Sequence, residues 1–254
     1  MSEHDDIFGQ FNLSDLMTDD TDSVIGKQNA PHLPQKQFRC LVSGASSCGK
    51  TSILFKLLLN GELHFDKLYL FARGASIGEA KYTFLIDFYT QIAEQAGVNI
   101  HDILVIGNEP NDIPEIESLD PTISNLVIFD DWIADKRLNE TKILDYFIRG
   151  RKQNTSMFYL TQSYYTTPKN IRLNCNYMIV FKLNSRREIN GLVSEVAGGV
   201  GIDYEAFKEA YLEAVSKKYG WVLIDFSTQQ PNMKLRAGFK QYLNLDALID
   251  AHRT

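Results

Sequence analysis

The chain predicts an α/β fold, a mainly parallel sheet flanked by helices on both faces. Short apolar runs of strand length alternate with longer amphipathic stretches six or seven times along its 254 residues. The helical stretches tend to close on glycine, as TSILFKLLLNG and EAKYTFLIDFYTQIAEQAG do. The strand-length runs are apolar throughout rather than alternating, as strands covered on both faces are.

The elements follow in order. FRCLVSG (Phe38 to Gly44) is a buried strand ending in glycine, and TSILFKLLLNG is a helix stopped by Gly61. KLYLFAR is a second strand, residues Glu79 to Gly97 an amphipathic helix, and DILVIG a third strand. A polar loop with two prolines leads to NLVIFDDW, the fourth strand. A helix over roughly Glu140 to Gly150 precedes a fifth strand, SMFYLTQ, and YMIVFKL makes a sixth. SRREINGLVSEVAG and EAFKEAYLEAVSKKYG read as helices, and WVLIDF as a last strand turning into TQQPN.

Residues 1–35 differ in texture and are expected to form an acidic, disordered arm ahead of one α/β domain over 36–254. The arm holds seven acids against Lys27, ends in the proline-containing APHLPQ, and interleaves Ile7, Phe8, Phe11 and Leu13 with its acids, as a docking peptide would. Removing it leaves 25 basic and 25 acidic residues. A nucleic-acid partner must therefore be gripped by local clusters rather than by bulk charge. The start MSEHDDIFGQ lacks the pattern of a signal peptide, and no apolar run reaches bilayer length, so a soluble, intracellular protein is expected. Three cysteines without a CxxC pair indicate free thiols rather than a disulfide framework or a zinc knuckle.

Between the first strand and first helix lies GASSCGKT, comprising Gly44, Ala45, Ser46, Ser47, Cys48, Gly49, Lys50 and Thr51. It fits GxxxxGK[ST] in the strand–loop–helix context that this phosphate-binding motif requires. A loop wrapped round a phosphate must turn successive N–H groups inward, which calls for glycine and small side chains. The following helix presents its unpaired N–H groups and positive dipole end to the anion. Lys50 would lie along the β- and γ-phosphates of ATP, and the Thr51 hydroxyl would ligate Mg2+.

NLVIFDDW places Asp130 and Asp131 at the C-terminal mouth of a buried strand, where ligands sit in such sheets. Asp130 is the expected metal partner opposite Thr51, and Asp131 the candidate that polarises the attacking water. Gln162 ends a strand expected to neighbour the first, which brings its amide near the γ-phosphate. Arg149, Arg151 and Lys152 form a basic cluster upstream of that strand. One of them at a subunit boundary could reach a neighbour's γ-phosphate; a solvated helix end is the plainer alternative.

In this order GASSCGKT, NLVIFDDW and RGRKQN leading into MFYLTQ resemble the FtsK–HerA superfamily of DNA-pumping ATPases, and most of all its poxvirus-type, viral genome-packaging branch. The resemblance spans about Phe38 to Leu183. It implies a RecA-like P-loop core, ATP and Mg2+ as cofactors, and a homo-oligomeric ring, pentamer or hexamer, that threads double-stranded DNA. It further implies a capsid-vertex or other virion partner and action at the host-cell assembly site or in the virion. Carried over, Lys50 and Thr51 bind nucleotide and metal, Asp130 and Asp131 form the acidic pair, Gln162 is the polar sensor, and Arg151 is the finger acting in trans. Cellular members usually pair Asp with Glu, whereas this chain has the shorter Asp131.

For DNA contacts, Lys169 and Arg172 are the first candidates, on what reads as a loop after Gln162; Arg186, Arg187, Lys234 and Arg236 follow. With little chain after about Asp225, no nuclease domain is expected. Two other functions stay open: a P-loop kinase for a small-molecule or nucleoside acceptor, and a nucleotide-gated assembly protein without turnover.

Overall fold

The apolar runs assemble into one sheet in a computed structural model that describes residues 28–74 and 78–244. In chain order these hold β1 (Arg39–Ser43), α1 (Lys50–Leu59), β2 (Lys67–Ala72), α2 (Ala80–Ala96), α3 (Ile100–Ile103) and β3 (Leu104–Gly107). Next come β4 (Asn125–Asp130), α4 (Lys136–Glu140), α5 (Lys142–Arg149), β5 (Thr155–Thr161) and α6 (Lys169–Asn174). The remainder is β6 (Tyr177–Phe181), α7 (Arg186–Val200), α8 (Tyr204–Ala214), β7 (Trp221–Asp225), β8 (Leu235–Ala237) and β9 (Gln241–Tyr242).

Among the described residues the sheet has nine strands in the order β3-β2-β4-β5-β1-β6-β7-β8-β9. The six strands from β3 to β6 are mutually parallel, and β7, β8 and β9 are antiparallel additions. This is the mainly parallel sheet that the alternation predicts. The last two strands, β8 and β9, escaped the sequence because runs of three and two residues are too short to display a period.

Both faces are covered, which explains the unbroken apolar runs. On one face α1 and α2 pack through Leu54, Phe55, Leu58, Tyr82 and Leu85 onto Val42, Leu70, Ile128 and Leu160. On the other α5, α7 and α8 bury Tyr146, Phe147, Val193, Phe207 and Tyr211 against Leu41, Phe129, Tyr159 and Val180. Neighbours along one strand, such as Leu41 and Val42, fall in opposite layers because side chains alternate across a strand.

The helix read over roughly 140–150 is α5, and a further short helix, α4, precedes it, the two separated at Thr141 with φ −120° and ψ −96°. One expectation changes. The aromatic docking peptide within the proposed arm lies outside the described residues. The closing stretch of that arm, however, packs on the body: Leu33 is buried, and His32 pairs with Glu62 at 2.9 Å. Asn29 Nδ2 donates to Pro34 O, and Arg236 Nη1 reaches His32 O at 2.8 Å. Among the described residues no helix is long and apolar enough to cross a membrane.

Candidate nucleotide site

Register brings the polar residues together. β5 lies between β4 and β1, with Asp130 opposite Leu160 and Ser43 opposite Thr161. The residues just past these pairs, Gly44, Asp131 and Gln162, therefore emerge side by side at the C-terminal mouth of three adjacent parallel strands. The wide separation of these residues in sequence collapses to one strand spacing, about 4.8 Å, between neighbours.

The loop between β1 and α1 takes the backbone path its composition permits. Ser47 and Gly49 have φ of 60° and 105°, both left-handed, with Gly49 as the N-cap of α1. Gly44 is required by packing instead: a Cβ there would stand 2.6 Å from Phe181 Cβ and 2.7 Å from Cys48 Sγ. The Lys50 ammonium folds over the loop and donates to Gly44 O at 2.7 Å and Ala45 O at 2.9 Å. Its third N–H direction meets only Cys48 Sγ at 4.0 Å, a weak acceptor that an anion in the loop would replace. Burial pushes the Lys50 pKa down, and the charges of Cys48, Asp130 and Asp131 oppose that push. Burial likewise raises the Cys48 thiol, against the pull of Lys50.

Thr51 Oγ1 donates to Asp130 Oδ2 at 3.4 Å. The same carboxylate oxygen accepts from the Tyr82 hydroxyl on α2. Asp130 is almost fully buried, and burial raises its pKa against the Tyr82 bond and the charges of Lys81 and Lys50. The Tyr82 phenol is raised far above its ordinary value by burial and by Asp130, so it stays a donor. A hydroxyl and a carboxylate this close are the hard oxygen donors that Mg2+ takes, with phosphate oxygens and water completing its shell.

Asp131 turns the chain out of the sheet with φ 61°, unusual for a residue with a Cβ. Its side chain accepts from Gln162 Nε2 at 3.3 Å, so two residues singled out separately in the sequence touch. The turn is held from below. Trp132 is fully buried with its indole N–H on Phe71 O at 2.9 Å, and Asn139 Nδ2 donates to Trp132 O at 2.6 Å. Asn139 Oδ1 in turn accepts from the Tyr159 hydroxyl at 2.8 Å.

Sequence reasoning missed Tyr82 and Asn139. Tyr82 sits at a spacing that reads as the apolar face of a helix, and nothing local marks its hydroxyl as aimed at Asp130.

The basic cluster lies elsewhere. Arg149 is spent on Glu117 and on Asp145 at 3.7 Å. Arg151 is exposed on a 3-10 turn ahead of β5, at the opposite end of the sheet from the loop. It lines a polar cleft of about 450 Å3 with Lys36 and Arg39.

The DNA candidates need correction. Lys169 is exposed, on the first turn of α6 rather than on a loop. Arg172 is buried and does not face solvent. Its guanidinium is bonded to Glu195 at 2.5 and 2.8 Å and to the carbonyls of Tyr164, Tyr165 and Thr167, so its charge serves the interior. Arg236 is likewise buried against Asp225 at 3.1 Å. A guanidinium in a low-dielectric interior must be paired, and both carboxylates serve that end. Among the others, Arg187 lies over the Tyr165 ring at 4.1 Å, and Lys234 reaches Gly199 O at 3.4 Å.

Comparison with known proteins follows the same lines. The family described as the poxvirus A32 protein matches residues 27–197. No curated protein matches the chain. Among solved structures, the genome packaging NTPase B204 from Sulfolobus turreted icosahedral virus 2, in complex with AMP, superimposes with a TM-score of 0.53 and 13% identity. That match covers 76% of this chain and 95% of that one. B204, the DNA-packaging ATPase from Sulfolobus turreted icosahedral virus, gives 0.51 at 11% identity over 77% of this chain and 95% of that one. At such identity the likeness is one of fold.

Proposed function

The chain belongs to the family of the poxvirus A32 protein, and on that premise we propose that it is an ATP-driven double-stranded DNA translocase that packages a viral genome into a preformed capsid. It acts as a homo-oligomeric ring of five or six copies at the site of virus assembly. The observation that supports this best is the Asp131–Gln162 contact beside the Thr51–Asp130 pair, at the mouth that also holds Lys50. A loop that only binds nucleotide has no use for a second acid bonded to an amide. The viral packaging NTPases that share the fold include structures in complex with AMP and with AMPPCP, which supports a nucleotide as the ligand of this loop.

Each residue then has a task. The N–H groups of residues 44–51 and the Lys50 ammonium hold the phosphates and neutralise charge that develops on the transferred group. Thr51 and Asp130 would hold Mg2+, which would supply further charge neutralisation to the bound phosphates. Tyr82 and Thr51 fix the direction of the Asp130 carboxylate. Asp131 takes the proton of the attacking water, and the Gln162 amide, whose N–H holds that carboxylate, orients the water and senses the γ-phosphate. Its αL backbone compensates for the shorter side chain by turning Asp131 out toward the ligand. Arg151 of a neighbouring copy completes the site. Lys169 and the cations of other copies contact the DNA backbone without regard to sequence. The acidic segment ahead of residue 28 docks a capsid partner, and its deletion leaves ATP hydrolysis intact while packaging fails.

The test is the ATPase rate with and without duplex DNA. Stimulation by DNA that disappears in Lys50→Ala and Asp130→Ala is the expected result. Phosphate transfer to a small acceptor, or tight ATP binding without turnover, would show a kinase or a switch instead.

A further inference from the structure

The phosphate contacts leave a large groove beside Gly49 unexplained. It encloses about 580 Å3. Its floor is the first two turns of α1, including Ser52, Ile53 and Leu57, and its wall is aromatic: Phe181, Tyr219, Trp221 and Phe239. These rings come from the end of β6, the turn into β7 and its first residue, and the β8–β9 turn. Trp221 and Phe239 meet edge to face with centroids 4.5 Å apart, and Phe181 stands 6.3 Å from Trp221.

Gly49 joins this groove to the phosphate loop. A Cβ at Gly49 would lie 3.6 Å from Phe181 Cε1 and 3.8 Å from Tyr219 Cδ1, so the aromatic wall stands directly beside the loop. Tyr219 is held at φ 60°, in the left-handed region that non-glycine residues rarely adopt, and is 47% exposed. The acidic and imidazole groups on the lining are engaged with each other: His32 pairs with Glu62, which also accepts from Asn60 Nδ2 at 3.1 Å. Most of the lining is carbon.

We propose that this groove takes the nucleoside end of a nucleotide whose phosphates lie in the Gly44–Thr51 loop, and that it grips the base by aromatic stacking rather than by reading its edge, so that adenine and guanine nucleotides bind alike. The proposal rests on the nucleotide-loop reading above. Continuity with the loop selects this occupant, and a planar heteroaromatic suits a wall of rings. Stacking is indifferent to base identity because every base has a π-face.

The full chain is titrated with ATP, GTP and inorganic tripolyphosphate, each with Mg2+, by calorimetry and by the fluorescence of Trp221, since Trp132 is fully buried. Wild type is compared with Tyr219→Asn, which keeps a left-handed backbone acceptable, and with Phe239→Ala. The expected result is ATP and GTP within about threefold of each other, and both at least about tenfold tighter than tripolyphosphate. Each variant then loses most of that tenfold for both nucleotides and keeps its tripolyphosphate affinity, which also reports that the loop is folded. Equal binding of ATP and tripolyphosphate by the wild type overturns the proposal and leaves the loop reading standing; a groove filled by another part of the chain gives this outcome. Unchanged ATP affinity in both variants, or a preference for one purine of about a hundredfold, also overturns it. If none of the three ligands binds, the loop reading itself falls.

Discussion

The two ends of the central strands carry opposite equipment. At the C-terminal ends of β1, β4 and β5, Lys50, Thr51, Asp130, Asp131 and Gln162 are bonded to one another or to the loop. At the N-terminal ends of the same strands, Arg39 and Arg151 line an open polar cleft with Lys36. The seven residues of β5 separate Arg151 from Gln162, about 20 Å of strand, farther than any arginine side chain spans. One copy of the chain thus gathers the loop and the acidic pair at one end of the sheet, while the arginine proposed as the finger lies at the other. On the proposed function, hydrolysis would belong to an interface between copies.

That contrast can be broken most decisively at Arg151. Arg151→Ala should lower turnover about 10³-fold while ATP affinity stays unchanged, whereas Lys50→Ala loses both. Mixing these two inactive variants should restore part of the rate, because some interfaces pair an intact loop with an intact arginine. No recovery at any mixing ratio would place the missing charge within one chain.

The next largest effect contrasts a buried cation with an exposed one. Arg172→Ala should cost about 3 kcal/mol in denaturant unfolding, since it strands Glu195 and three carbonyls, whereas Lys169→Ala should change stability by under about 0.5 kcal/mol. The pair also sets an acid limit. Burial pushes Glu195 up, but its bonds from Arg172 and Tyr164 outweigh burial and hold it below its ordinary 4.5. A carboxylate depressed in the folded state contributes stability above its unfolded pKa and loses it as pH falls through the folded one. Wild-type melting temperature should therefore drop as pH falls below about 4.5, and Glu195→Gln should be flatter in that window.

A smaller effect is expected at Gln162. Gln162→Ala should reduce kcat by about 10- to 100-fold at little cost in KM, as an interaction used in the transition state does. An unchanged kcat would make its bond to Asp131 merely structural. The smallest signal is at Cys48. The two fully buried thiols, Cys40 and Cys175, should resist a maleimide, and Cys48 should react slowly, faster as pH climbs toward its raised pKa. ATP should protect it, and lack of protection would place the nucleotide away from the loop.

Much of the site was legible because its chemistry is local. The loop demands glycine at Gly49 for its dihedral and small residues around it, and Asp130 and Asp131 follow directly from the strand that presents them. The parallel sheet was readable for the same reason, since burial on both faces leaves unbroken apolar runs. Arg172 and Arg236 were not readable. A cation has the same letter whether it faces solvent or a buried carboxylate, and only the packing of α6 against α7, or β8 against β7, decides which. Tyr82 and the aromatic wall beside Gly49 belong to this second kind. Their residues come from elements far apart in sequence, and each by itself reads as ordinary core. The sequence by itself determined a glycine-rich loop, an acidic pair and the succession of strands and helices along the chain, because backbone dihedrals and side-chain periodicity are properties of neighbours along the chain. Tertiary structure alone decided which charges remain available, what steadies Asp130 and where a base would rest, because those depend on contacts made through space.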